Sequence, residues 1–199
     1  MTKYARMYRL GFTPWERYGA AGGKRLGGLL DREAAERPGG PGRALDLGCG
    51  RGQFTPEPAR RGWETVGLDL VPEAVEAARA KGPAEVAYVV GDVTDLGASG
   101  LGTFDLFLDI GCFQGLGPEQ RAAEGRGVTE LAEPGAVLLM LAFGPSRYRR
   151  LVEGVSREEV EAAFPGWETL SAEDADPAGL GWPMNRTSPR WYRLRRAAR

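Results

Sequence analysis

Residues 44–52, ALDLGCGRG, carry an acid, Asp46, two positions before alternating glycines at Gly48, Gly50 and Gly52. An apolar strand that runs into glycines spaced this way turns tightly and lets a ligand lie against the main chain where a Cβ would clash. A dinucleotide loop needs G-x-G-x-x-G so that a pyrophosphate meets a helix N-terminus, and its third glycine would fall on Gln53. The spacing here is G-x-G-x-G. Asp46 is poorly placed beside a diphosphate and well placed beside an ammonium or sulfonium cation, so charge separates the two cofactor classes. Asp69, about 20 residues past Gly48, ends a second apolar run, where a carboxylate can accept from both ribose hydroxyls of a nucleoside cofactor. Each such charge-assisted bond is worth roughly 1.5–3 kcal/mol. In YVVGDVTDL, Asp92 can accept from an adenine amino group while Val93 packs on the ring, and Asp95 reads as a turn former. Cys49 in the loop and Leu70 beside Asp69 complete this half of the candidate cofactor set.

Composition removes competing chemistries. The chain of 199 residues has no histidine, which excludes Ser-His-Asp and Cys-His catalysis and histidine-ligated metals. Two cysteines, Cys49 and Cys112, are too few for a disulfide scaffold, and no metal-ligand set is read. With 26 basic and 27 acidic residues there is no global attraction for nucleic acid or an anionic membrane, and the arginines between 190 and 199 read as a solvated edge strand. The first residues, MTKYARMYRLGF, lack a signal-peptide apolar run, and no stretch is long enough to span a membrane. A cytoplasmic location is expected.

The elements that must hold these residues alternate. Short apolar runs at 43–47, 64–69, 85–90, 104–110 and 135–143 are separated by amphipathic stretches, the pattern of an α/β domain with a mainly parallel sheet. Pro72 and Pro118 open helices, Gly82 and Pro83 close the first, and SREEV predicts a helix with a Ser156–Glu159 capping box and a Val155–Val160 staple, ending before Pro165. Residues 167–172 and 190–195 read as two further strands in an antiparallel edge. Residues 1–39 are expected to form a helical arm or lid. Thr13 is its N-cap, Glu16 completes that cap, and four glycines weaken its middle by roughly 1 kcal/mol each. Residues 40–199 form the cofactor-binding part of one compact domain.

ALDLGCGRG, GLDL and VVGDVTDL, in this order, resemble the class I S-adenosylmethionine-dependent methyltransferases over about residues 40–196. The resemblance implies a Rossmann-like, seven-stranded, mostly parallel sheet of order 3-2-1-4-5-7-6, with strand seven antiparallel and helices on both faces. The cofactor, S-adenosylmethionine, lies over the carboxyl ends of the strands. FDLFLDIGCFQGL, residues 104–116, with YRLGFTPWE, residues 8–16, is similar to the narrower small-molecule group of thiopurine, thiol, halide and tellurite-resistance type. That likeness implies a lid carrying Trp15 and an acceptor site at the end of strand four. Asp109 and Gln114 are its candidate catalytic residues, Asp109 and Ile110 join the cofactor set, and Cys112 and Phe113 line the acceptor pocket. Gln114 stands where this group is expected to have histidine, and glutamine cannot replace a base. The function implied is in-line methyl transfer to a small-molecule acceptor. A cofactor-binding module without catalysis and, behind it, an NAD(P)-dependent oxidoreductase are the alternatives. Cys49 and Cys112 follow neighbouring strands, so a redox-closable pair is conceivable, with simple packing the favoured reading.

Overall fold

A computed structural model of the chain describes residues 19–145, 154–177, 180 and 184–197. Seven strands form one sheet: β1 (Arg43–Leu47), β2 (Glu64–Asp69), β3 (Ala87–Val90), β4 (Phe104–Ile110), β5 (Ala132–Phe143), β6 (Trp167–Asp174) and β7 (Pro189–Arg196). Their order is β3-β2-β1-β4-β5-β7-β6, as the resemblance implies. All pairs are parallel except those of β7, which runs antiparallel to β5 and β6. Leu47 is level with Leu68 on one side and Asp109 on the other, so the carboxyl ends of β1, β2 and β4 open onto one edge.

Helices α1 (Gly19–Glu36), α2 (Pro56–Ala59), α3 (Pro72–Lys81), α4 (Pro118–Leu131) and α5 (Arg157–Ala163) pack around the sheet. Alternation within the central strands feeds two cores. Phe107 of β4 and Leu138 and Met140 of β5 join Val128 of α4 and Val160 of α5 in one. Leu106 and Leu108 join Leu139, Leu141 and three leucines of α1 in the other.

Those three leucines revise the picture of the arm. Leu26, Leu29 and Leu30 are spaced to fall on one helical stripe, and all three are buried. Burying three leucines returns about 1.5–3 kcal/mol each, enough to offset the glycines that weaken the helix. Most of α1 is thus a layer of the core. Residues 1–18, including Thr13, Trp15 and Glu16, lie outside the described residues.

Helix punctuation follows the sequence. Ser156 Oγ accepts from the Glu159 N–H at 3.2 Å, while Glu159 Oε2 accepts from the Ser156 N–H at 2.8 Å. Val155 and Val160 are both buried behind this cap. β6 runs two residues past its expected end, to Asp174, β7 is one residue longer at each end, and two strand starts differ from expectation. β3 begins two residues late because the Val86 N–H closes a turn onto the Pro83 carbonyl. β5 begins three residues early, since Ala132 pairs with Phe104 before an irregularity in register, around Pro134, that resumes pairing at Val137.

Candidate active site

The loop after β1 is built by its glycines and by neighbours that fill the space a side chain would take. Gly48 and Gly52 have φ of +65° and +73°, in the left-handed region. A Cβ on Gly48 would come within 2.7 Å of Cys112 Sγ, and one on Gly52 within 2.8 Å of the Tyr88 hydroxyl. At these two positions close packing by the protein itself already requires glycine. Cys49 packs with Tyr88 and α3, and Cys112 lies against the core beneath α4. Both thiols are free and sit in different apolar clusters.

Asp69 locks this loop to β2. Its Oδ2 accepts from the Gly50 N–H and its Oδ1 from the Val71 N–H, both at 2.8 Å. Each oxygen keeps a second lone-pair direction for a further donor. Burial raises its carboxyl above the ordinary range, against these two backbone bonds. Asp46 is 3% exposed and accepts from the Thr55 hydroxyl at 2.7 Å. Burial pushes its carboxyl up to about 7; Thr55 opposes the shift, and the neighbouring charges of Asp109 and Asp69 add to it. Thr55, on the way into α2, gave no signal in the sequence.

At the next strand end Asp92 Oδ1 accepts from both the N–H and the hydroxyl of Thr94, at 2.8 and 2.7 Å, a local turn bond that leaves Oδ2 out. Val93 is buried. Among the described residues, the large hydrophobic side chains left exposed are Leu70, at 45%, and Val90, at 52%. Leu70 follows β2 directly after Asp69, and Val90 ends β3 two residues before Asp92. Leu70 stands in the candidate cofactor set; Val90 does not, because it reads as the last residue of an ordinary strand.

The acceptor side is a tight turn after β4. Asp109 is fully buried; its Oδ1 accepts from the Cys112 N–H at 3.0 Å and its Oδ2 from the Phe113 N–H at 2.9 Å. With no exposed surface, Asp109 is placed to hold the turn and not to touch an acceptor. Gln114 Oε1 accepts from the Phe143 N–H at 2.5 Å, tying the turn to the end of β5. Arg121 of α4 grips the same turn through its carbonyls, donating to Phe113 O at 3.2 Å and Gln114 O at 3.0 Å, with its guanidinium 5.5 Å from the Phe113 ring centre. Phe113 is fully buried, while Ile110 and Cys112 are half-buried.

The fold is shared with known proteins. Residues 44–135 match the family model described as a methyltransferase domain. The N-methyltransferase NodS of Bradyrhizobium japonicum, solved with S-adenosylhomocysteine, superposes with a TM-score of 0.69 over 87% of this chain and 86% of that one, at 19% identity. The fold is the Rossmann-like methyltransferase fold. In sequence, the 2-heptyl-1-hydroxyquinolin-4(1H)-one methyltransferase of Mycobacteroides abscessus is 28% identical over 146 residues, 70% of this chain and 63% of that protein. The ubiquinone biosynthesis O-methyltransferase of Xanthomonas oryzae pv. oryzae is 42% identical over 66 residues, 32% of this chain and 28% of its own. The chain thus spans less than two thirds of the length of these relatives. Within this fold Asp46, Asp69, Leu70, Val90 and Asp109 stand at or beside the carboxyl ends of β1 to β4, the edge at which ligands of open α/β sheets bind.

Proposed function

We propose that the chain is an S-adenosylmethionine-dependent methyltransferase acting on a small-molecule acceptor. Charge carries the reading: Asp46, Asp69 and Asp109 converge on one edge, and their neighbourhood helps hold Asp46 near neutrality. Such an edge favours a cation and disfavours a pyrophosphate. In this reading Asp69 and the loop amides receive the ribose and amino-acid parts of the cofactor, Leu70, Val90 and Val93 flank the adenine, and Asp92 Oδ2 accepts from its amino group. The cofactor supplies a methyl group on a sulfonium sulfur. The protein's contribution is alignment and exclusion of water, for which well-oriented intramolecular reactions recover roughly 7–11 kcal/mol.

Asp109 is buried and the Gln114 oxygen is spent on Phe143, so the turn favours acceptors that arrive as anions and need no base. The two relatives, a 2-heptyl-1-hydroxyquinolin-4(1H)-one methyltransferase and a ubiquinone biosynthesis O-methyltransferase, support a screen of hydroxylated aromatics. The narrower likeness of GCFQGL adds thiols and halides. A lid role for Trp15 and a cytoplasmic setting belong to the same proposal; among the described residues no helix is long and apolar enough to cross a membrane.

Calorimetric titration with S-adenosylmethionine, S-adenosylhomocysteine and NAD(H) tests the reading. Micromolar binding of both adenosyl ligands is expected, and preference for NAD(H) sinks it. Binding with no turnover on any acceptor favours the module without catalysis, which the lack of an exposed base in the turn keeps in view.

Asp46 adds a pH signature. Its raised carboxyl means that the unliganded fold is favoured by the protonated form; this stability is full below about pH 4 and is lost as pH rises through about 7. A bound cation prefers the carboxylate, so binding releases a proton. Affinity for S-adenosylmethionine should therefore be about tenfold weaker near pH 6 than near pH 8. Asp46→Asn should flatten that difference. Equal slopes in the two proteins would remove Asp46 from the cation site.

A further inference from the structure

Beneath the turn, a group of the site remains unexplained. Glu124 of α4 is fully buried, and among the described residues neither of its oxygens has a hydrogen-bond partner. Its carboxylate oxygen, an oxygen of Asp109 and the Sγ of Cys112 all lie within 4.8 Å of one another. A buried carboxylate facing another, with no donor, is among the costliest arrangements in a protein interior. The nearest cation does not resolve it. Arg121, one helical turn earlier, spends its guanidinium on the carbonyls of Phe113 and Gln114 and on Glu159 of α5, 2.9 Å away. Asp69 and Asp46 across the edge add only negative charge to Cys112.

A single proton removes the conflict. A carboxylate can only accept, whereas a carboxylic acid donates, so protonation of Glu124 turns the contact with Asp109 into a charge-assisted hydrogen bond. We propose that Glu124 holds a proton shared with Asp109, and that this bond makes Glu124 the positioning residue for the turn at residues 111–116. The chain of support is continuous: Glu124 fixes Asp109, Asp109 fixes the N–H groups of Cys112 and Phe113, and Arg121 fixes the carbonyls of the same turn. Burial and the facing Asp109 both raise the Glu124 carboxyl well above its usual range, in keeping with a neutral acid. A metal in place of the proton fits less well. Both Asp109 oxygens already accept from backbone N–H groups, and burial pushes the Cys112 thiol up, away from the thiolate a metal needs. The role given to the turn rests on the methyltransferase reading; the shared proton does not.

Infrared spectra in D2O at about pH 8, above the Asp46 range, compare the protein with Glu124→Gln. The expected difference is one protonated carboxylic-acid carbonyl band, present in the parent and lost in the variant. Melting temperature is followed from about pH 5 to about pH 9 in parallel. An acid with a raised folded pKa stabilises the fold below its unfolded value and loses that contribution as pH rises towards the folded one. The parent should therefore fall more steeply than Glu124→Gln, whose amide donates the same bond without titrating. Should that variant fail to fold, Asp109→Asn gives the same loss of the band, because its amide donates to an ionised Glu124. No carboxylic-acid band, parallel pH profiles, or a melting temperature raised by zinc in the parent and not in Glu124→Gln would each overturn the proposal. Titration of the parent with S-adenosylhomocysteine reports separately: no binding with the band present overturns the methyltransferase reading alone.

Discussion

Asp69→Ala should weaken binding of S-adenosylmethionine and S-adenosylhomocysteine by at least a hundredfold. The carboxylate has two tasks, and alanine removes both. It fixes the glycine loop by accepting the Gly50 N–H at 2.8 Å, and it presents free lone pairs to the ribose hydroxyls. Two charge-assisted bonds of roughly 1.5–3 kcal/mol each correspond to about two to four orders of magnitude in affinity. Asp69→Asn is the milder change, because its oxygen can still accept one of the two N–H groups while its NH2, itself a donor, loses the bond to the other. Calorimetric titration of both variants is the measurement. A loss below about tenfold in Asp69→Ala would mean that the ribose is held elsewhere.

Arg193→Ala should remove a large part of the stability of the whole domain. Arg193 of β7 is 3% exposed; its Nε donates to Glu33 of α1, itself 5% exposed, and its guanidinium reaches Glu36 at 2.6 Å. Truncating one member of a buried pair strands the other charge in the interior, which costs about 3–5 kcal/mol. Against a total of roughly 5–15 kcal/mol for a domain, that loss is severe. Replacing both, as Arg193→Met with Glu33→Leu, should recover most of it, since a packed apolar pair of similar volume is often no worse than the ion pair. Urea unfolding of the single and double variants measures this. A single-variant loss under about 1 kcal/mol would show that water reaches Glu33.

Much of the sheet was legible because its strands announce themselves: β1, β2 and β4 begin and end where the apolar runs do, bounded by glycine or proline. β5 was harder, since AEPG reads as a turn and not as the irregular start of a strand. The cofactor edge was legible from acid and glycine spacing, which local chain geometry dictates. The acceptor side was not. Whether Asp109 faces a ligand or a backbone depends on a turn closed by Arg121, eight positions beyond Phe113, and on Glu124, which in a one-dimensional reading is a surface glutamate of a helix. α1 was legible as a helix but not as a layer of the core, because its leucines count only once β4 and β5 supply a face to cover.

The clamp between α1 and β7 also has a kinetic side. Glu33 and Arg193 stand 160 residues apart in the chain. During synthesis from the N-terminus, α1 and the leucine face it covers exist long before their counter-charge emerges, and an isolated helix of this length with five glycines is marginal in water. The second core face is complete only once β7, which brings Trp191 and Arg193, lies between β5 and β6. Pairing so remote in sequence is slow, and until it happens the nascent domain exposes the leucines of β4 and β5 to any neighbour.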